Sequence, residues 1–145
     1  MLNQQLDTWL WWDEERQWFK LYGSKFTEQE LAAGVYPNQA KAVAEVRRLP
    51  YLALSAEVRA CVQTYLDEDL VPANKPGDAF HLALATLYMV NYLLTWNHAH
   101  LANDQTREKL ERVNRAKGWW TPLIVSPKTI PKVALGQSVR RRHED

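Results

Sequence analysis

The stretch from Asp78 to Asn97 constrains the fold more than any other. Ala79 to Met89 is apolar apart from His81 and Thr86, and a helix with so little polar surface must be buried on most of its sides. Tyr92 to Trp96 then reads as a short apolar strand ending at Asn97. The same strand and helix vocabulary recurs along the chain. Leu49 to Leu54 has the look of a buried strand, and Ser55 then caps a helix whose Val58, Cys61, Val62, Tyr65 and Leu66 follow helical spacing. Trp18 to Tyr22 and Pro122 to Val125 are further strand candidates. Strands alternating with helices of these lengths predict an α/β fold, with a mostly parallel sheet flanked by helices on both faces.

The remaining helices are punctuated by their ends. Leu2 to Phe19 predicts an amphipathic first helix with Leu2, Leu6, Trp9, Trp12 and Phe19 on its inner face. Thr27 and Glu30 have capping-box spacing for a short helix closed by Gly34. Pro37 opens a helix that carries Ala40, Val43, Ala44 and Val46 inward, and a polar helix from Asn103 to Lys117 stops at Gly118. Val71 to Gly77, rich in proline, is a loop.

At 145 residues the chain is long enough to bury one core without staples. Residues 1–135 are therefore expected to form a single domain, and 136–145, with Arg140, Arg141 and Arg142, a loose basic tail. The net charge of +1 provides little long-range attraction for nucleic acid, so any such contact needs a local patch. The lone Cys61 excludes an internal disulfide and fits a reducing, cytoplasmic setting. No export signal and no membrane-length apolar run are legible.

In open α/β sheets chemistry collects beyond the carboxyl ends of the strands. Asn97 falls at such an end, Asp78 at the start of the helix feeding that strand, and Glu30 in the short helix after the first strand candidate. Two carboxylates and an amide are hard oxygen donors of the kind Mg²⁺ or Mn²⁺ accepts. Each residue also has an ordinary structural reading: Asp78 as a helix N-cap, Glu30 as the far partner of a capping box, Asn97 as a turn former. His98 and His100 lack an evident third metal ligand, so hydrogen bonding is the expected role. The seven tryptophans admit base stacking or, more simply, core and interface packing.

Pro76-Gly77-Asp78-Ala79-Phe80-His81-Leu82-Ala83-Leu84-Ala85, followed by Tyr92-Leu93-Leu94-Thr95-Trp96-Asn97 and His100-Leu101-Ala102-Asn103, resembles the PIN domain in its toxin-like branch. The resemblance extends to Trp11-Trp12, to Thr27-Glu28-Gln29-Glu30-Leu31-Ala32-Ala33-Gly34 and to Ile124-Val125-Ser126-Pro127, covering roughly 4–133. It implies a three-layer sandwich, Mg²⁺- or Mn²⁺-dependent ribonuclease activity, an RNA substrate and a small antitoxin partner. By position it assigns Glu30, Asp78 and Asn97 as the metal-holding, catalytic set.

The family also begins with a buried strand ending in an aspartate, which this sequence lacks. Leu6-Asp7-Thr8 resembles the end of that strand, but it follows Asn3-Gln4-Gln5 and adjoins Trp9 on a predicted helix. Either the true start lies upstream or this is a shortened member; the expectation for the chain as given is reduced metal affinity, an exposed apolar surface, and a homodimer or an antitoxin complex covering it. The alternative is a non-catalytic PIN-like module that binds nucleic acid or protein.

Overall fold

The computed structural model describes residues 2–131 and is mixed α/β. Among these residues are six α-helices: α1 (Leu2–Glu14), α2 (Lys25–Ala32), α3 (Gln39–Arg47), α4 (Ala56–Asp67), α5 (Pro76–Leu87) and α6 (Asp104–Lys117). The strands β1 (Tyr92–Leu94) and β2 (Leu123–Val125) pair in parallel, with Leu93 opposite Ile124. No helix of the described residues is long and apolar enough to cross a membrane. The predicted basic tail, with Arg140 to Arg142, lies outside the described residues.

The apolar helix is buried as its sequence requires. Asp78, Ala79 and the run from Leu82 to Thr86 are all buried on α5, and α5 packs on α4 through Val58, Cys61, Val62 and Tyr65. Leu110 of α6, Ile124 of β2 and Leu101 complete this core. Inside it lies a polar knot. The Tyr65 hydroxyl is 2.6 Å from Asn114 Oδ1 and 2.9 Å from Thr86 Oγ1, and the Asn114 amide reaches the Trp120 carbonyl at 3.0 Å. With these partners three buried polar side chains avoid the cost of lost solvation.

Two predicted strands shrink. Trp18 ends a 3₁₀ turn, Arg16–Trp18, and the chain then only touches the segment after α3 through a parallel bridge between Gly23 and Tyr51. Gly23 donates to the Pro50 carbonyl and accepts from Leu52 N–H, both at 3.0 Å. Pro50 has no N–H with which to lengthen a ladder. A β-carbon on Gly23 would stand 3.1 Å from the Tyr51 ring, so the close approach favours glycine. The described residues thus contain a two-stranded sheet and one bridge in place of an extended parallel sheet.

The inward face of α1 also differs from expectation. Trp11 is buried against Val125 and Ile130, whereas Leu6 is exposed and Trp9 and Trp12 are half-buried. The half-buried rings gain cations instead: Lys41 Nζ lies 4.4 Å from the Trp9 ring centroid and the Arg16 guanidinium 4.9 Å from that of Trp12. On α3, Val46 is buried but Ala40 and Ala44 are exposed. Asp7 sits within α1 and pairs with Lys128 Nζ at 3.5 Å, so its place is helical and its partner a lysine.

Candidate functional site

The first turn of α5 organises the site. Lys75 is its N-cap without a side-chain hydrogen bond, and Pro76 occupies the first helical position, where a missing N–H costs nothing. Asp78 is therefore the third helical residue. The N-cap is Lys75, and the Asp78 carboxylate bonds to Asn97 and His100, so the structural reading of Asp78 as an N-cap does not hold. The capping reading of Glu30 fails as well. The cap of α2 is Ser24, whose Oγ accepts from Thr27 N–H at 3.1 Å, and Glu30 Oε1 lies 2.7 Å from His81 Nε2.

Asp78 is 7% exposed, yet its carboxylate is well supplied with donors. Asn97 Nδ2 donates to Oδ1 and Oδ2 at 3.3 Å each, and His100 Nδ1 lies 3.2 Å from Oδ2. An ionised carboxylate only accepts, so the proton of that last bond sits on His100 Nδ1. The same reasoning puts a proton on His81 Nε2 facing Glu30. Asn97 comes to Asp78 because β1 delivers it: Thr95 N–H still donates to the Val125 carbonyl at 2.8 Å, and the chain then turns. Asn97 Oδ1 accepts the His100 backbone N–H at 3.0 Å. A backbone N–H cannot be satisfied by an NH₂ group, so this bond fixes the amide with its donor end toward Asp78.

Of the three residues singled out by sequence, Asp78 and Asn97 are in direct contact. Glu30 approaches the same helical turn from another side: its Oε1 would be 3.7 Å from a β-carbon on Gly77, and it pairs with His81, four residues on and hence on the same face as Gly77. Asp78 projects about 100° around the helix from Gly77. Two carboxylate–imidazole pairs, Glu30 with His81 and Asp78 with His100, therefore flank one turn. His81 and His100 carry more of the site than sequence reasoning gave them. The signal was the shared spacing, since each histidine stands three residues after Asp78 or Asn97.

The chain matches no family model, no curated protein and no solved structure.

Among the described residues no group of three or more His, Cys, Asp or Glu is placed to hold a metal. Asn97 presents N–H and not oxygen to Asp78. Two carboxylates remain, on different sides of the turn; Mg²⁺ usually takes one or two carboxylates and keeps several waters, or binds with substrate phosphates. Glu30 Oε2 has no hydrogen-bond partner among the described residues, so one hard oxygen is free. The positive end of the α5 dipole opposes a cation, so any ion held here relies on both acids.

Proposed function

We propose that the chain is a PIN-like, metal-dependent endoribonuclease of the toxin kind, with Asp78 and Glu30 holding Mg²⁺ or Mn²⁺ and Asn97 orienting Asp78. The observation that carries this reading is the buried Asp78 carboxylate. It is spent on no cap, and Asn97 and His100 aim at it from beyond the carboxyl end of β1. A bound ion would supply Lewis-acid polarisation of a phosphoryl oxygen and a lowered pKa for a coordinated water. The chain's own residues prepare the place: Asn97 and His100 hold Asp78 in one rotamer, and His81 holds Glu30. Two acids hold a reluctantly dehydrated ion loosely, so the expected activity of these 145 residues is low.

The three-layer PIN-like sandwich belongs to the same proposal, and the short β1–β2 pair and the Gly23–Tyr51 bridge are compatible with parts of its sheet. An upstream strand ending in an acid is expected to raise the rate. Partner contact with a small antitoxin or a second copy of the chain is proposed on the exposed Leu6, Leu10 and Trp18.

The test is cleavage of single-stranded and structured RNA with millimolar-scale Mg²⁺ or Mn²⁺, with and without EDTA. The expected result is slow, EDTA-sensitive cleavage that Asp78→Asn abolishes. EDTA-sensitive cleavage indifferent to Asp78→Asn would place the chemistry elsewhere. No cleavage, together with RNA binding that survives Asp78→Asn, would favour the non-catalytic module.

A further inference from the structure

His100 faces two ways. Its Nδ1 bonds to Asp78, and the residue also lines an open pocket of about 350 Å³ between the loop after α4 and the start of α6. Such a volume lies at the lower end of those that take small ligands. Leu70, Val71, Ala73 and Ala99 contribute apolar wall to a lining that exposes more polar than apolar surface, and the exposed Gln105 brings a side-chain amide. No lysine or arginine lines it, while Asp69 does. A phosphate is therefore disfavoured, and a neutral group with an edge of donors and acceptors is favoured.

The walls are fixed before any ligand arrives. Asn103 Oδ1 accepts Thr106 N–H at 2.8 Å, while its Nδ2 donates to the His98 and Ala99 carbonyls at 2.8 and 3.1 Å. Thr106 Oγ1 donates to the His100 carbonyl at 3.1 Å, and Lys109 Nζ ties the opposite wall through the Asp69 carbonyl at 3.1 Å. Pre-organised walls reduce the ordering cost of binding.

We infer that this pocket is a nucleobase subsite, placed by His100 beside Asp78 so that it takes the base of a nucleotide flanking the scissile phosphodiester. The base identity is read by the Gln105 amide, since single-stranded RNA is recognised through unstacked base edges. The assignment of the neighbouring phosphodiester rests on the ribonuclease reading above; the base-binding pocket itself does not.

Amide NMR spectra of the full 145-residue chain, titrated without metal with adenosine, guanosine, cytidine and uridine and with ribose as the control, test it. The expected shifts fall on Ala73, Ala99, Gln105 and Thr106, are absent with ribose, and disappear in Ala73→Trp, which fills the pocket from an exposed loop position. Gln105→Ala should keep the fold and change the order of preference among the nucleosides. In cleavage assays Ala73→Trp should raise KM roughly tenfold with kcat retained, the equivalent of one lost base contact. EDTA-sensitive cleavage without nucleoside shifts at these amides overturns the pocket and leaves the nuclease standing. Nucleoside shifts there without any cleavage support the pocket and overturn the nuclease. Shifts that persist in Ala73→Trp place base binding elsewhere.

Discussion

Asn97 shows how one side chain decides the character of a site. Its oxygen is taken by the His100 N–H, leaving its donor end for Asp78, so it acts as a positioning residue for the acid. Removing the amide in Asn97→Ala leaves Asp78 buried with fewer donors, a loss of about 1–3 kcal/mol of stability measurable as a lower urea midpoint. Because outer partners hold a ligand in its productive rotamer, cleavage should also fall about 10- to 100-fold, and the fall should exceed that of an equally destabilising core variant. Cys61 illustrates burial acting on a titratable group. Desolvation pushes its thiol from 9.0 up to about 11, so the native protein should resist iodoacetamide at pH 8 and react fully in urea. The sign of the linked stability follows. Above pH 9 the unfolded thiol ionises while the folded one stays protonated, so the unfolded state binds fewer protons and stability falls as pH rises from 9 toward 11. An alkaline loss that is smaller in Cys61→Ala checks this.

At the scale of elements, helices read from periodicity hold where a cap or a buried face reinforces them. Ser55 caps α4 through Val58 N–H at 3.1 Å, Asn103 caps α6, and Gly118 closes α6 at φ 70°. The Thr27 and Glu30 pattern misleads because Ser24, three residues earlier, offers a better-placed hydroxyl, and this frees Glu30 for His81. In α1 the many tryptophans blur the apolar face, and only the packing of Val125 and Ile130 on Trp11 decides which one is buried. The buried partners of Tyr65 were not legible either: Thr86 and Asn114 are separated from it by 21 and 49 residues. The knot ties α4, α5 and α6 together. Tyr65→Phe should therefore lower stability by about 1–3 kcal/mol in urea denaturation, since Asn114 and Thr86 lose the buried hydroxyl they share. A neutral effect would mean that the hydroxyl contributes nothing net.

For the whole molecule, the two later strand candidates were legible, the two earlier ones reduce to a single bridge, and strand pairing was not legible. β1 and β2 lie 31 residues apart at Leu93 and Ile124, and only tertiary packing reveals that they are neighbours. The same holds for the site. Sequence placed Asp78 and Asn97 at a helix start and a strand end, but the turn of the Asn97 amide and the two imidazoles emerge only when α5 and the loop after β1 meet. Under the proposed function, this one helical turn of α5 is where a divalent ion would be held. Paramagnetic broadening of amide signals by Mn²⁺ tests it directly. The amides of Glu30, Gly77, Asp78 and Asn97 should vanish first, return on adding excess Mg²⁺ or EDTA, and be spared in Asp78→Asn. Broadening centred on other carboxylates, or unaltered by Asp78→Asn, would contradict the account.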